Sequence, residues 1–330
     1  MKHGGDLTEA IAQYGGSPDM WLDLSTGINP WPWPIPSLPN EIWQRLPSTA
    51  DGAALIVAAR EAYRVPDEVE IVIAPGTQAL IQWLPRLAAS GAVAIAGPTY
   101  SEHARAWSHC GHGIMALDTA RPFPDGARHS VIVNPNNPDG RTIDLDSLEQ
   151  IAAIARDRGG WLVIDEAFAD LDPRISAAAL CRDRPVVILR SFGKFYGLAG
   201  LRLGFAIASP SIADAIQTAL GPWPCSGPAL AVGRAALSDE TWAAHMRETL
   251  PDHARRLDEV LLARGFAMAG GTALFRLVRH ADAAVIHESL AQQQIWCRSF
   301  EWSTDLLRFG LPRDDAALAR LATALKPACE

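Results

Sequence analysis

This sequence predicts an α/β protein: a large domain with a mainly parallel sheet between helices, plus a smaller α+β domain. Two observations predict it. First, six continuous apolar runs read as strands buried on both faces: EIVIA (70–74), VAIAG (93–97), SVIVN (130–134), WLVID (161–165), VVILR (186–190) and GFAIA (204–208). Second, most of them are separated by helical patterns such as TQALIQWLPRLAA and DLDSLEQIAAIARDRG, the alternation that builds parallel sheets. After Pro228 the pattern changes to a long helical stretch over about 239–265, a strand in ALFRLV, a helix in DAAVIHESLAQQQ, a strand in LLRFG and a terminal helix. The Pro- and Trp-rich INPWPWPIPSLP (28–39) cannot continue a helix and reads as an extended arm. The boundaries that follow are 40–227 for the large domain, and 1–39 with 228–330 for the arm and small domain.

Bulk properties exclude several functions. The 330 residues, 48% apolar and 20% charged, suit an ordinary globular chain with one large core and a smaller one. A net charge of −8 argues against a nucleic-acid surface, which needs clustered Lys and Arg. No apolar run reaches membrane-spanning length, and MKHGGDLTEA lacks a signal peptide's apolar core, so a cytoplasmic protein is expected. Cys110, Cys181, Cys225, Cys297 and Cys329 are odd in number and form no CxxC, which predicts reduced thiols. His109-Cys110-Gly111-His112 lacks a second ligand cluster, so no metal is expected.

Ligands of such sheets gather beyond the carboxyl ends of the strands, and polar clusters stand there. In RSFGKFYGLAGLRLGF (190–205), Lys194 sits among glycines and apolar residues. A phosphate-binding P-loop would need glycine at Ile188 and Ser or Thr at Phe195, so that reading fails. A desolvated lysine is an available nucleophile and suits a Schiff base; a surface lysine whose stem covers apolar neighbours fits equally well. In VIDEAF (163–168), Asp165 at a buried strand end needs a partner; a pyridinium nitrogen, a capping role or magnesium would each supply one. Asn137 in VNPNNPDG could donate to a phenolic oxygen or simply make a turn. Gly76, Thr77 and Gln78 in APGTQAL open a helix as an anion site or an ordinary cap. Tyr100 in GPTYSEH could stack on a flat ring or only pack. Together they offer the contacts that pyridoxal phosphate needs.

On these motifs the chain resembles the fold-type I pyridoxal-phosphate enzymes of the aspartate aminotransferase superfamily. S-x-x-K-x-x-x-x-x-x-x-R, NPNNPxG and D-E-A-[YF] carry the likeness along nearly the whole chain. Within it the chain is similar to the histidinol-phosphate aminotransferase and threonine-phosphate decarboxylase families. HGGDLTEA (3–10), LDLSTGINP (22–30) and GPWPCSGPAL (221–230) favour the decarboxylases of aerobic cobalamin biosynthesis. The resemblance implies Lys194 as the catalytic Schiff-base lysine, Asp165 at the pyridine nitrogen, Asn137 at O3′ and Tyr100 stacked on the ring. It implies Gly76, Thr77, Gln78, Ser191 and Arg202 around the cofactor phosphate. Substrate contacts would come from His3, Gly4, Gly27, Asn137, Arg298 and Arg308, with Arg308 on a carboxylate and Arg298 on a phosphate.

The chain departs from the pattern at Phe168 (for Tyr), Leu46 (for the Tyr that reaches a neighbouring subunit), Gly27 (for Asn), Gly193 (for Ser or Thr) and Asp139 (for Thr). The implied reaction is decarboxylation of O-phospho-L-threonine to (R)-1-aminopropan-2-yl phosphate, for the aminopropanol linker of cobalamin. The alternatives are an aminotransferase like histidinol-phosphate aminotransferase, or a non-catalytic ligand-binding protein on the same fold. The likeness also implies a homodimer, and another cobalamin-pathway protein is a candidate partner; the net charge and the lack of a long apolar run predict neither nucleic acid nor membrane.

Overall fold

A computed structural model describes residues 4–118 and 123–325. Its contacts divide into two units, one of Met1–Pro32, Pro138–Gly140 and His245–Glu330, the other of Trp33–Asn137 and Arg141–Ala244. The first opens with α1 (Thr8–Tyr14) and β1 (Leu22–Asp23). The second follows with α2 (Asn40–Gln44), α3 (Thr49–Tyr63), β2 (Glu70–Ala74), α4 (Thr77–Leu87), β3 (Ala92–Ile95), α5 (Glu102–His109), β4 (Ile114–Ala116) and β5 (Ala127–Val133). It continues with α6 (Leu145–Asp157), β6 (Leu162–Asp165), β7 (Val186–Ser191), α7 (Phe192–Phe195), β8 (Gly204–Ala208), α8 (Pro210–Leu220) and α9 (Gly227–Leu237). Helix α10 (Glu240–Leu262) has residues in each unit. The first unit then adds β9 (Ala267–Thr272), β10 (Phe275–Arg279), α11 (Ala283–Gln292), β11 (Ile295–Trp296), β12 (Arg298–Phe300), β13 (Ser303–Gly310) and α12 (Asp315–Ala324).

The second unit is built on a seven-stranded sheet in the order β2-β8-β7-β6-β5-β3-β4. Its strands are parallel except β8, which pairs antiparallel with β2 and β7. All six apolar runs are strands here. Val72, Val93, Val131, Val163, Val187 and Ala206 pack with Leu80, Leu84, Trp107, Ile212 and Ile216 of α4, α5 and α8 in one core. Helix α6 buries Leu148, Ile151, Ala152 and Ala155, the i, i+3, i+4, i+7 stripe visible in its sequence. Its start is fixed by Asp144, whose side chain accepts from Ser147 N–H, and that of α3 by a Ser48–Asp51 capping box.

The first unit holds an antiparallel sheet, β12-β13-β10-β9, and a parallel pair, β1-β11. Strand β9, AMAGGT, carries no apolar run, and its Gly270 and Gly271 have φ of +144° and +143°. They suit a close backbone contact: Gly271 N–H donates to Asp139 O at 2.7 Å, and a Cβ on Gly270 would lie 2.1 Å from that same oxygen. No helix among the described residues is long and apolar enough to cross a membrane.

Candidate active site

The carboxyl edge of the seven-stranded sheet collects the polar residues. Asp165 ends β6 and Ser191 ends β7; Ser191 pairs in register with Gly204 at the start of β8. Lys194 follows on the single turn of α7, half-buried between buried Gly193 and Phe195. A Cβ on Gly193 would stand 2.6 Å from Ala199 Cα, so the serine or threonine common at this place in the resembled family has no room here. The departure follows from a tight turn and leaves Lys194 in place.

Backbone and guanidinium groups form a cradle beside it. Gly76, at φ +80°, precedes the eleven-residue α4, and a Cβ on it would lie 2.9 Å from Arg202 Nη2. A Cβ on Gly204 would lie 2.7 Å from Thr77 N. Glycine at both positions therefore keeps open the space where a helix N-terminus, Arg202 and Ser191 converge, a setting for a dianionic phosphate. Arg202 itself is exposed and left-handed (φ +53°), with Nη1 donating to Ala199 O at 3.3 Å. The cradle fits the phosphate of pyridoxal phosphate.

Asp165 is 3% exposed, yet its two oxygens are engaged: Oδ1 accepts from Ala167 N–H at 3.1 Å and Oδ2 from His103 Nε2–H at 2.9 Å. A carboxylate buried this way can serve a ring N–H. His103, itself 1% exposed, was not legible in the sequence, because a lone His in a helix carries no motif. Tyr100 meets the His103 ring edge-on, with centroids 6.2 Å apart. In the turn after β5, Asn134 exchanges hydrogen bonds with the Ile143 backbone (2.9 and 3.2 Å). Asn136 donates to Pro98 O at 3.0 Å and accepts from the Thr99 hydroxyl at 2.6 Å. Those two asparagines hold the turn, and half-buried Asn137 follows them. Phe168 is buried at 3% exposure and brings no hydroxyl.

Behind this edge lies a buried charged cluster that sequence reading also missed. Arg190 Nη1 donates to Glu166 Oε2 at 3.0 Å and Nη2 to Asp170 Oδ1 at 2.9 Å, with its guanidinium 4.3 Å from the centroid of the Tyr63 ring. Burial pushes the Glu166 carboxyl up, while Arg190, Ala177 N–H and Ser176 pull it back. The D-E pair of VIDEAF thus divides: Asp165 faces His103 and Ala167 N–H, and Glu166 ties the end of β7 through Arg190.

The first unit brings Arg298 and Arg308 side by side as register partners of β12 and β13. Arg308 is buried, donates Nη2 to Ser25 O at 2.7 Å and lies 5.1 Å from the Phe275 ring centroid. Burial, then the Arg298 charge, lowers its pKa to about 10, so it stays cationic at neutral pH. Gly4 packs on the same carbonyl: a Cβ there would meet Ser25 O at 2.4 Å. Gly27 is buried nearby in sequence, and His3 lies outside the described residues, as does Cys329. Leu46 is 67% exposed.

His112 presents Nδ1 to Gly91 O (2.7 Å) and Nε2 to Pro85 O (2.8 Å), so its ring is engaged by backbone. No cluster of three or more His, Cys, Asp or Glu among the described residues could hold a metal.

The aminotransferase class I and II family matches residues 51–325. Threonine-phosphate decarboxylases of Pseudomonas aeruginosa and of a Sinorhizobium species are each 43% identical, over 98% of this chain and 97% of theirs. The histidinol-phosphate aminotransferase of Sinorhizobium meliloti, solved in complex with pyridoxal-5'-phosphate, superposes with a TM-score of 0.80 at 21% identity, covering 97% of this chain and 93% of that one. The chain belongs to the aminotransferase class I and II family.

Proposed function

We propose that this protein is a pyridoxal-phosphate-dependent decarboxylase of O-phospho-L-threonine, forming (R)-1-aminopropan-2-yl phosphate for the aminopropanol linker of cobalamin. The observation that carries this reading is near-full-length identity of 43% to two threonine-phosphate decarboxylases. The adjacent Arg298 and Arg308 support it, because the substrate brings both a carboxylate and a phosphate.

The chain's own residues divide the work. Gly76, Thr77, Gln78, Ser191 and Arg202 would hold the cofactor phosphate, Tyr100 would cover the ring and Asn137 would donate to its phenolic oxygen. When bound, pyridoxal phosphate supplies an electron sink for the pair left at Cα once CO2 departs. Asp165, buried and accepting from Ala167 N–H and His103, would hold a proton at the ring nitrogen. With Phe168 contributing no hydroxyl, Asn137 is the donor for the phenolic oxygen. Lys194 Nζ would hold the cofactor's aldehyde and, once released and protonated by the incoming substrate's ammonium group, would return that proton to Cα. Arg308 presents a planar fork to the carboxylate and Arg298 a cation to the phosphate.

The protein is inferred to act as a cytoplasmic homodimer. Trp43, Leu46, Val57 and Trp223 of the second unit are each more than half exposed, apolar side chains that a second copy would cover. Its mass by light scattering tests this.

The deciding assay supplies purified protein and pyridoxal phosphate with O-phospho-L-threonine and follows CO2. Release without a keto acid is expected; product formed only with 2-oxoglutarate would make the protein an aminotransferase. Borohydride reduction followed by digestion should leave a pyridoxyl group on the peptide containing Lys194, and its absence there would overturn the cofactor reading.

A further inference from the structure

Three buried or half-buried side chains link into a relay next to the cofactor cradle. Tyr100 Oη donates to Gln78 Oε1 at 3.1 Å, and Gln78 Nε2 donates to Glu102 Oε2 at 3.2 Å. Glu102 opens α5 and is only 6% exposed, an unusual burial for a carboxylate in the first turn of a helix. Arg105 approaches its other oxygen at 3.6 Å from the solvent side. The next residue of the same turn, His103, stands edge-on to Tyr100 and donates to Asp165.

We propose that Glu102 is a positioning residue for the cofactor: through Gln78 it fixes the plane of Tyr100 and the direction of its hydroxyl proton. The inference rests on the reading of this site as a pyridoxal-phosphate site. A carboxylate only accepts, so the Gln78 amide must turn its NH2 toward Glu102. Its carbonyl oxygen then faces Tyr100, whose single hydroxyl proton is drawn to it. Tyr100 therefore acts as a fixed plate on the ring, with its proton held away from acid chemistry. Without Glu102 the amide has no preferred sense, and the tyrosine loses the contact that sets its angle. A helix-stabilising acid in the first turn would do as well exposed, and would not need Gln78.

The test uses apo-protein reconstituted with pyridoxal phosphate, in wild type, Glu102→Ala and Glu102→Gln. The readouts are the cofactor dissociation constant, the visible circular dichroism of the bound cofactor and the melting temperature of the apo form. Glu102→Ala is expected to bind the cofactor roughly tenfold more weakly, the loss typical of an unmade buried hydrogen bond, with a diminished visible dichroic band. Glu102→Gln can restore the hydrogen bond but, able to donate as well as accept, not its sense, and should fall between wild type and Glu102→Ala. If Glu102→Ala does not fold, Tyr100→Phe keeps the ring but cuts the relay at its end, and should give the same two losses. Wild-type affinity and dichroism in Glu102→Ala, or a shifted melting temperature alone, would overturn the relay. So would Glu102→Gln failing as badly as Glu102→Ala, since that makes charge, and not polarity, the requirement. Wild-type protein that takes up no pyridoxal phosphate would remove the underlying reading and the relay with it.

Discussion

Two buried arginines, one in each unit, meet opposite electrostatic surroundings. Burial works to lower Arg190, but Asp170 and Glu166 outweigh it and hold the guanidinium above its ordinary pKa. Arg308 is lowered by burial, and the like charge of Arg298 lowers it further. The first is charge neutralised within the fold, at the carboxyl ends of β6 and β7 where Asp165 and Lys194 must be held still. The second is cationic potential concentrated at one point of a sheet, which an arriving anion would relieve. Equal residue type and similar burial thus mark architecture in one unit and, on the proposed function, recognition in the other.

Replacing each arginine by methionine separates these roles. Arg190→Met leaves Glu166 and Asp170 buried with no cation, and should cost about 3–5 kcal/mol of stability, read by denaturant unfolding. An unchanged midpoint would show that the cluster is decorative. Arg308→Met removes a desolvated charge, so stability should hold or rise slightly. Its effect belongs in catalysis: kcat/KM for phosphothreonine should fall roughly a hundredfold, about 2.7 kcal/mol, as expected for losing a charge-assisted contact. Loss of stability with kinetics intact would reverse the assignment.

Asp165 lies between these extremes, a buried carboxylate whose side-chain partner is a histidine. His103→Phe keeps an aromatic ring beside Tyr100 but removes the hydrogen bond to Oδ2. Cofactor affinity should drop about tenfold and stability by about 1–2 kcal/mol. Cofactor titration beside thermal melting measures both, and unchanged affinity would demote His103 to packing.

What the sequence disclosed follows the same physics. Strands such as VVILR announced themselves because both faces are dry, and Lys194, Asp165, Asn137 and Arg202 because rare residue types stand at strand ends in a recurrent order. The reversal of β8 was hidden, since GFAIA is equally apolar in either direction. Strand β4, with exposed Ile114 and Ala116, and β9, with its glycine pair, lack the apolar run that signals a strand. His103 and Glu102 were invisible for another reason. Their partners, Asp165 and Gln78, are 62 and 24 residues away, and only the folded sheet brings them within hydrogen-bonding reach.

The smallest expected effect bounds the comparison. Arg255 Nη1 lies 2.5 Å from Glu259 Oε1, closer than either contact of Arg190, one turn apart on α10. Both side chains are more than 60% exposed, so water and salt already solvate each charge. Arg255→Ala should therefore change stability by less than about 0.5 kcal/mol, and less again at high salt. A loss approaching that of Arg190→Met would mean that distance sets the strength of an ion pair here. A negligible loss assigns that strength to burial, the variable that separates the sheet's arginines from this one.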